Sequence, residues 1–344
     1  MSFRAKLLSA ACAAIFLQIA PAGAQSQRNL ILFVPDGLRP LSVTPDTAPA
    51  LAAVRDSGVN FVNPHSLFPT FTMANASGMA TGHFLGDTGA FSNTIYTAYP
   101  VPTAGGSVTP FIENDPILGD IDAHFSGNFV DEDSILFIAR HQGFSTAAIG
   151  KLGPTLMFDH TERTGEATVI IDDSTGSKQG IPLSQAMQDA LKASGLPLVA
   201  PSRKDTPGDN ANAGDFSKPG TLVANVVQQK YFADVAAKVV LPMFKARNKP
   251  FVLVFWSRDP DGTQHNQGDS HLKVTPGING PTSFASIKNA DDNLAQLRKA
   301  LDELGLAAAT DIVVAADLIH QRDLKRAAGD VGRESRNRNV VIPG

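Results

Sequence analysis

The chain has 344 residues, of which 43% are hydrophobic and 18% charged, and a formal net charge of −4. That apolar content excludes a disordered chain, and the mild acidity excludes a nucleic-acid groove that works by neutralising phosphates. The one cysteine, Cys12, lies in the leader segment, so the rest of the chain can hold neither a disulfide nor a thiolate metal site, and any metal falls to His and carboxylate.

Residues 1–24 read as a secretory signal peptide: Arg4 and Lys6, an apolar run from Leu7 to Ala20, then the small residues Ala22-Gly23-Ala24. The run is too short and alanine-rich for a membrane span. The mature chain is expected to start near Gln25, to be periplasmic or secreted and to keep no membrane anchor. Asn29 to Val34 is a continuous apolar run, the mark of a buried parallel strand, and it ends in Pro35-Asp36-Gly37. Thr47 to Asp56 reads as a short helix stopped by Gly58, and Val59 to Val62 as a second strand.

Phe68 to Asn93 concentrates hydroxyls, glycines and amides. Thr70 and Thr72 precede a small-residue run, Ala74 to Gly82, suited to a closely packed helix. A threonine there sits at a helix start, where free N–H groups and the helix dipole favour an oxyanion; a plain capping turn is the competing reading. Tyr96 to Asp131, rich in Pro, Gly and Asp, is assigned to loop. Asp133 to Gln142 and Phe144 to Ile149 form a helix–strand unit that ends in Gly150-Lys151. Residues 154–218 contain a strand, Thr168 to Ile171, and a helix, Ser184 to Ser194, and read as a loop-rich cap.

Thr221 to Phe244 is helical, with a break expected ahead of Pro242, and leads to the strand Phe251 to Trp256 and the segment Ser257-Arg258-Asp259-Pro260-Asp261. A long helix, Ser283 to Leu304, precedes the strand Asp311 to Ala316, which ends in Asp317. This alternation predicts an α/β fold with a mostly parallel sheet covered by helices on both faces. In such sheets ligands meet the carboxyl ends of the strands, where Asp36, Asp261 and Asp317 all fall. His265 stands four residues after Asp261, and the set points to a metal-assisted site.

These motifs, in this order, resemble the type I phosphodiesterase and nucleotide pyrophosphatase family of the alkaline phosphatase superfamily: VPDGLR at Val34 to Arg39, FPTFTMAN at Phe68 to Asn75, Thr81-Gly82, Asn93, and DPDGTQH at Asp259 to His265. The resemblance implies an alkaline phosphatase-like domain over residues 25–319, loosely matched over about 96–220. It also implies a hydrolase of small-molecule phosphodiesters or nucleotide pyrophosphates with two zinc ions. Thr72 would be the nucleophile and Asn93 a donor to the transferred phosphoryl group. Asp36, Thr72 and Asp317 would hold one zinc, and Asp261 and His265 the other.

The chain departs from the family at its end. Leu318 stands where the family has a zinc-ligating histidine after Asp317, the further downstream histidine is missing, and residues 320–344 form a basic, weakly patterned tail. A truncated or frame-shifted copy, with a bare sheet edge, impaired folding and fewer than two tightly held zinc ions, is therefore expected. Phosphomonoester or phosphonate hydrolysis on the same scaffold is the alternative activity, and an inactive metal- or phosphate-binding remnant the alternative class. Lys151 reads as a solvated loop lysine, with reach to a substrate phosphate as the lesser alternative. His65 and His83 read as structural, Trp256 as packing and Arg39 as a brace for its loop.

Overall fold

Asn29–Pro35 forms β1, the strand on which the sheet is built, and its side chains divide between two cores. Ile31 and Phe33 enter one core, while Leu30, Leu32 and Val34 face the other. Such alternation, apolar on both sides, is what a strand covered on both faces requires. The computed structural model describes residues 27–209, 217–218, 220–265, 267–270, 275–318 and 340–342. The segment read as a signal peptide lies outside the described residues, as does all of the basic tail except Val340–Ile342.

Along the chain follow α1 (Pro49–Ser57), β2 (Val59–Phe61), α2 (Thr72–Thr81), α3 (Asp115–His124), α4 (Ile135–His141) and β3 (Ser145–Gly150). Next come β4 (Thr168–Asp172), α5 (Gln185–Ala193), α6 (Val226–Val235), α7 (Leu241–Arg247) and β5 (Phe251–Ser257). The chain continues with α8 (Pro281–Glu303), β6 (Thr310–Val314) and β7 (Val340–Ile342). The sheet order is β2-β7-β6-β1-β5-β3-β4. The five strands from β6 to β4 run parallel, and β7 lies antiparallel to both β6 and β2.

The β5 residues alternate in the same way as those of β1: Phe251, Leu253 and Phe255 enter one core, and Val252, Val254 and Trp256 the other. Phe33 and Phe255, register partners on adjacent strands, stack with ring centroids 5.5 Å apart. On that face α8 presents Ile287, Leu294, Leu297 and Leu301, and packs against α1 and α6.

Four expectations are corrected. The stretch from residue 96 to 131 is not all loop: Asn114 caps α3 by accepting from the Ile117 N–H, and Ile117, Leu118 and Ile121 bury its inner face. The Asn-Asp-Pro start was a helix signal masked by surrounding glycines and aspartates. Thr168–Asp172 is not part of a cap; it pairs with β3 and closes one edge of the main sheet. Pro242 does not break its helix, because α6 passes through a π-helical stretch, Ala236–Val240, into α7. That wider turn absorbs the missing proline N–H. The outer edge of β6 is not bare, since Val341 on β7 pairs with Val314.

Candidate active site

All five parallel strands end on the same side of the sheet, and each carries a charged residue to that end. Asp36 follows β1, Lys151 follows β3, Asp172 closes β4, Asp261 lies four residues past β5 and Asp317 three past β6. Gly37 lets the acids converge. Its φ is +69°, and a Cβ there would stand 2.9 Å from the Asp261 Cβ, so only glycine fits without a shift. The Gly37 N–H donates to Asp317 Oδ1 at 3.2 Å, and the Asp261 N–H donates to the Asp36 carbonyl at 2.9 Å.

Asp36 is fully buried, and its Oδ2 accepts from Lys151 Nζ at 2.8 Å and from Trp256 Nε1 at 2.9 Å. Burial raises the Asp36 pKa, with the Lys151 charge pulling the other way. Thr72 is the first residue of α2, and its Oγ1 accepts from Lys151 Nζ at 3.2 Å. The same ammonium lies 3.6 Å from both Glu113 Oε1 and Asp261 Oδ2.

Lys151 is only 4% exposed, which corrects the reading of a solvated loop lysine. Burial works against its charge, yet Asp36, Glu113 and Asp261 together hold its pKa well above the ordinary value. Its backbone is fixed by a close approach. Gly150, at φ +136°, lies where a Cβ would come 1.9 Å from the Trp256 carbonyl, and the Lys151 N–H donates to that carbonyl at 3.0 Å.

Asn93 is locked from both ends. Its Oδ1 accepts from the Met73 N–H at 2.8 Å, and its Nδ2 donates to Glu113 Oε1 at 3.1 Å. Glu113 itself is raised in pKa by burial against the pull of Lys151 and Arg258. His265 Nε2 lies 3.2 Å from Asp261 Oδ2. Thus Asp36, Thr72, Asn93, Asp261, His265 and Asp317 all reach one strand-end cluster, whereas Thr70 lies outside α2.

Neighbouring polar groups are engaged elsewhere. Asp259 accepts from the Asn225 N–H, Asn289 Nδ2 and Thr263 Oγ1, and so ties the β5 loop to the adjoining helices. Arg258 Nη2 donates to Asp173 Oδ2 at 2.7 Å. Arg39 braces a different loop from its own, donating to Asn279 Oδ1 and the Ile278 carbonyl. His83 pairs with Glu132. Beside α2 an apolar cavity of about 310 Å³ is lined by Leu38, Leu67, Met79, Phe84 and Leu318.

Sequence reasoning missed Glu113, the burial of Lys151 and the N–H of Trp256. The rule that flagged strand-end acids applies equally to a strand-end lysine, and Lys151 follows β3 as directly as Asp36 follows β1. Glu113 carried no such signal, because it comes from a loop that only the fold brings to Asn93.

The donor set can be tested against a metal pair. Asp36 Oδ1 and Asp317 Oδ2 are buried without a hydrogen-bond partner, which fits one cation held with the Thr72 hydroxyl. No group of three or more His, Cys, Asp or Glu able to hold a metal ion exists among the described residues.

The model of the type I phosphodiesterase / nucleotide pyrophosphatase family matches residues 30–318. The chain belongs to that family. No curated protein sequence matches it. Among solved structures, Ps i-CgsB in complex with a neocarrahexaose is similar with a TM-score of 0.48 at 15% identity, covering 85% of this chain and 58% of that one. An inactive murine ectonucleotide pyrophosphatase / phosphodiesterase 5 in complex with AMP gives a TM-score of 0.46 at 16% identity, covering 85% and 56%. A Bacteroides thetaiotaomicron protein of glycosaminoglycan metabolism gives a TM-score of 0.51 at 14% identity, covering 92% and 67%, a likeness of fold. The chain thus spans little more than half the length of the first two. The family is typically metal-dependent and its members are hydrolases. No helix among the described residues is long and apolar enough to cross a membrane.

Proposed function

We propose that the chain is a hydrolase of phosphodiester or pyrophosphate bonds in small molecules of nucleotide type, with Thr72 as its nucleophile. The observation that carries this reading is the Thr72 hydroxyl at the first residue of α2, within 3.2 Å of the Lys151 ammonium and beside the acids at the ends of β1, β5 and β6. Thr72 Oγ1 attacks phosphorus and gives up its proton to solvent, the P–O bond opposite breaks in line, and the alkoxide of a diester (protonated by water) or the phosphate of a pyrophosphate departs. The resulting phosphothreonyl or nucleotidyl-threonine ester is then hydrolysed by water, which restores the Thr72 hydroxyl. Asn93 Nδ2 and the Thr72 backbone N–H donate to the transferred group, and the amide is already oriented by Met73 and Glu113. Lys151 supplies a fixed positive charge to the developing alkoxide and the phosphoryl oxygens.

Asp36, Asp317 and the Thr72 hydroxyl would hold a divalent ion, most readily zinc. Its chemistry there is to lower the pKa of the hydroxyl and neutralise charge on the transferred group. Export through the leader segment would place this activity in the periplasm or outside the cell.

The deciding experiment assays the purified chain, with zinc supplied, on p-nitrophenyl esters in parallel: a phosphodiester, a phosphomonoester, a phosphonate and a sulfate. Preference for the phosphodiester supports the reading. A preference for any of the others reassigns the substrate class, and no turnover of any ester leaves a binding remnant in its place.

A further inference from the structure

We propose that Glu113 is a specificity-determining residue, whose carboxylate beside the Asn93 amide disfavours the dianion of a phosphomonoester and so selects a phosphodiester monoanion. The inference deepens the function proposed above and rests on its assignment of Asn93 as a donor to the transferred group. Its first support is placement. Glu113 Oε1 accepts from Asn93 Nδ2 at 3.1 Å, and Asn93 Oδ1 accepts from the Met73 N–H at 2.8 Å, so the amide is held with its nitrogen toward the glutamate. That nitrogen has a second N–H, the one left for the transferred group. Two acceptors about 3 Å from one amide nitrogen and about 120° apart lie about 5 Å from each other. A phosphoryl oxygen held by Asn93 is therefore a near neighbour of a carboxylate oxygen.

At that separation the number of charges on phosphorus matters. The phosphoryl group of a diester carries one negative charge, as does the esterified phosphorus of a nucleotide pyrophosphate. A monoester carries two once it loses its second proton, with a pKa of about 6. The added charge meets Glu113 in a setting that screens it less than water does.

The second support is that the charge of Glu113 is not cancelled locally. Lys151 Nζ lies 3.6 Å from Glu113 Oε1, but the same ammonium also faces Asp261 Oδ2 at 3.6 Å and is bonded to Asp36 Oδ2 at 2.8 Å. One positive charge is shared among three carboxylates. Arg258, the other cation that acts on Glu113, is itself bonded to Asp173 at 2.7 Å. The third support is rigidity. The Ile112 N–H donates to the Asn93 carbonyl at 2.8 Å, and Gly153 lies so close behind Glu113 that a Cβ there would stand 2.6 Å from the Glu113 Cα. The glutamate and the amide are thus fixed to each other through both backbone and side chain, and the carboxylate cannot swing away from a dianion.

A glutamate that served only to orient Asn93 would be replaced by glutamine without a change in substrate preference, since the glutamine oxygen can accept the same N–H. Charge is what separates the two roles. The test compares p-nitrophenyl phosphate with methyl p-nitrophenyl phosphate at pH 8, zinc supplied, on the native chain and on Glu113→Gln. The ratio of kcat/KM for the monoester to that for the diester is expected to rise at least about tenfold in the variant. Should Glu113→Gln fail to fold, Glu113→Ala, which removes the same charge and leaves the backbone contact with Gly153, is read in the same way. If the chain turns over neither ester, the two compounds serve as unreacted ligands, and the ratio of their dissociation constants by calorimetry takes the place of the kinetic ratio. Turnover or binding of both esters with an unchanged or lowered ratio overturns the inference alone. A native chain that neither turns over nor binds either ester overturns it together with the function beneath it.

Discussion

Trp256 Nε1 donates to Asp36 Oδ2 at 2.9 Å, so the last inward side chain of β5 holds the first acid after β1. Both groups are fully buried. Removing the donor leaves a buried carboxylate oxygen with Lys151 as its remaining partner. Trp256→Phe is expected to cost about 1.5–3 kcal/mol, the range for a hydrogen bond to a charged group plus some lost packing. The shift in denaturation midpoint checks the stability, and a fall in kcat/KM larger than that shift explains would show that Asp36 has lost its alignment.

Thr72→Ala is expected to lower phosphodiester turnover by several powers of ten, because it removes a covalent nucleophile. Thr70→Ala, outside α2, should retain most of the rate. Single-turnover kinetics with a p-nitrophenyl phosphodiester measures both, and the reverse order of effects would reject Thr72 as the nucleophile.

Gly37→Ala is expected to destabilise the chain by about 1–3 kcal/mol, since it forces a Cβ into left-handed backbone against Asp261. The loss of activity should exceed the loss of stability, because Asp36, Asp261 and Asp317 are all aligned through this residue. Thermal melts and turnover measured at a temperature where the variant remains folded separate the two effects.

Asp115 gives a pH prediction. Burial raises its pKa from the ordinary 3.8 to about 6, with Asp172 as its close carboxyl partner. The folded state therefore holds a proton that the unfolded state has released. The stability this contributes is full below pH 3.8 and is lost as pH rises through about 6. Asp115→Asn removes this residue's share of the dependence, while Asp172, also raised by burial, keeps its own. The variant's stability relative to the native chain is expected to rise progressively from acid to neutral pH, as urea midpoints measured from pH 4 to pH 8 would show.

The parallel strands were legible in the sequence because each is a short apolar run with a polar stop, and β1, β3 and β5 fall within a residue or two of the expected bounds. The strand-end acids were legible for the same reason. What was not legible needs a partner far along the chain. The charge of Lys151 is kept buried only because Asp36 and Asp261 arrive from other strands, and Glu113 matters only once Gly153 packs against it, where a Cβ would lie 2.6 Å from the Glu113 Cα. The strand β7 carries too short an apolar run to announce itself, and it pairs with β2 and β6, which lie far from it along the chain.

The hydrogen bond from the Gly37 N–H to Asp317 joins residues 280 apart in sequence. Contacts of that range close a long loop before any return, and they slow the approach to the native state. During synthesis the amino-terminal half, with β1, α2 and β3, emerges while the Asp317 strand is still to be made. Hydrolytic competence would then appear only in the final stage of folding, and its rate of gain after dilution from denaturant would report the docking of β6 against β1 rather than the earlier collapse of either core.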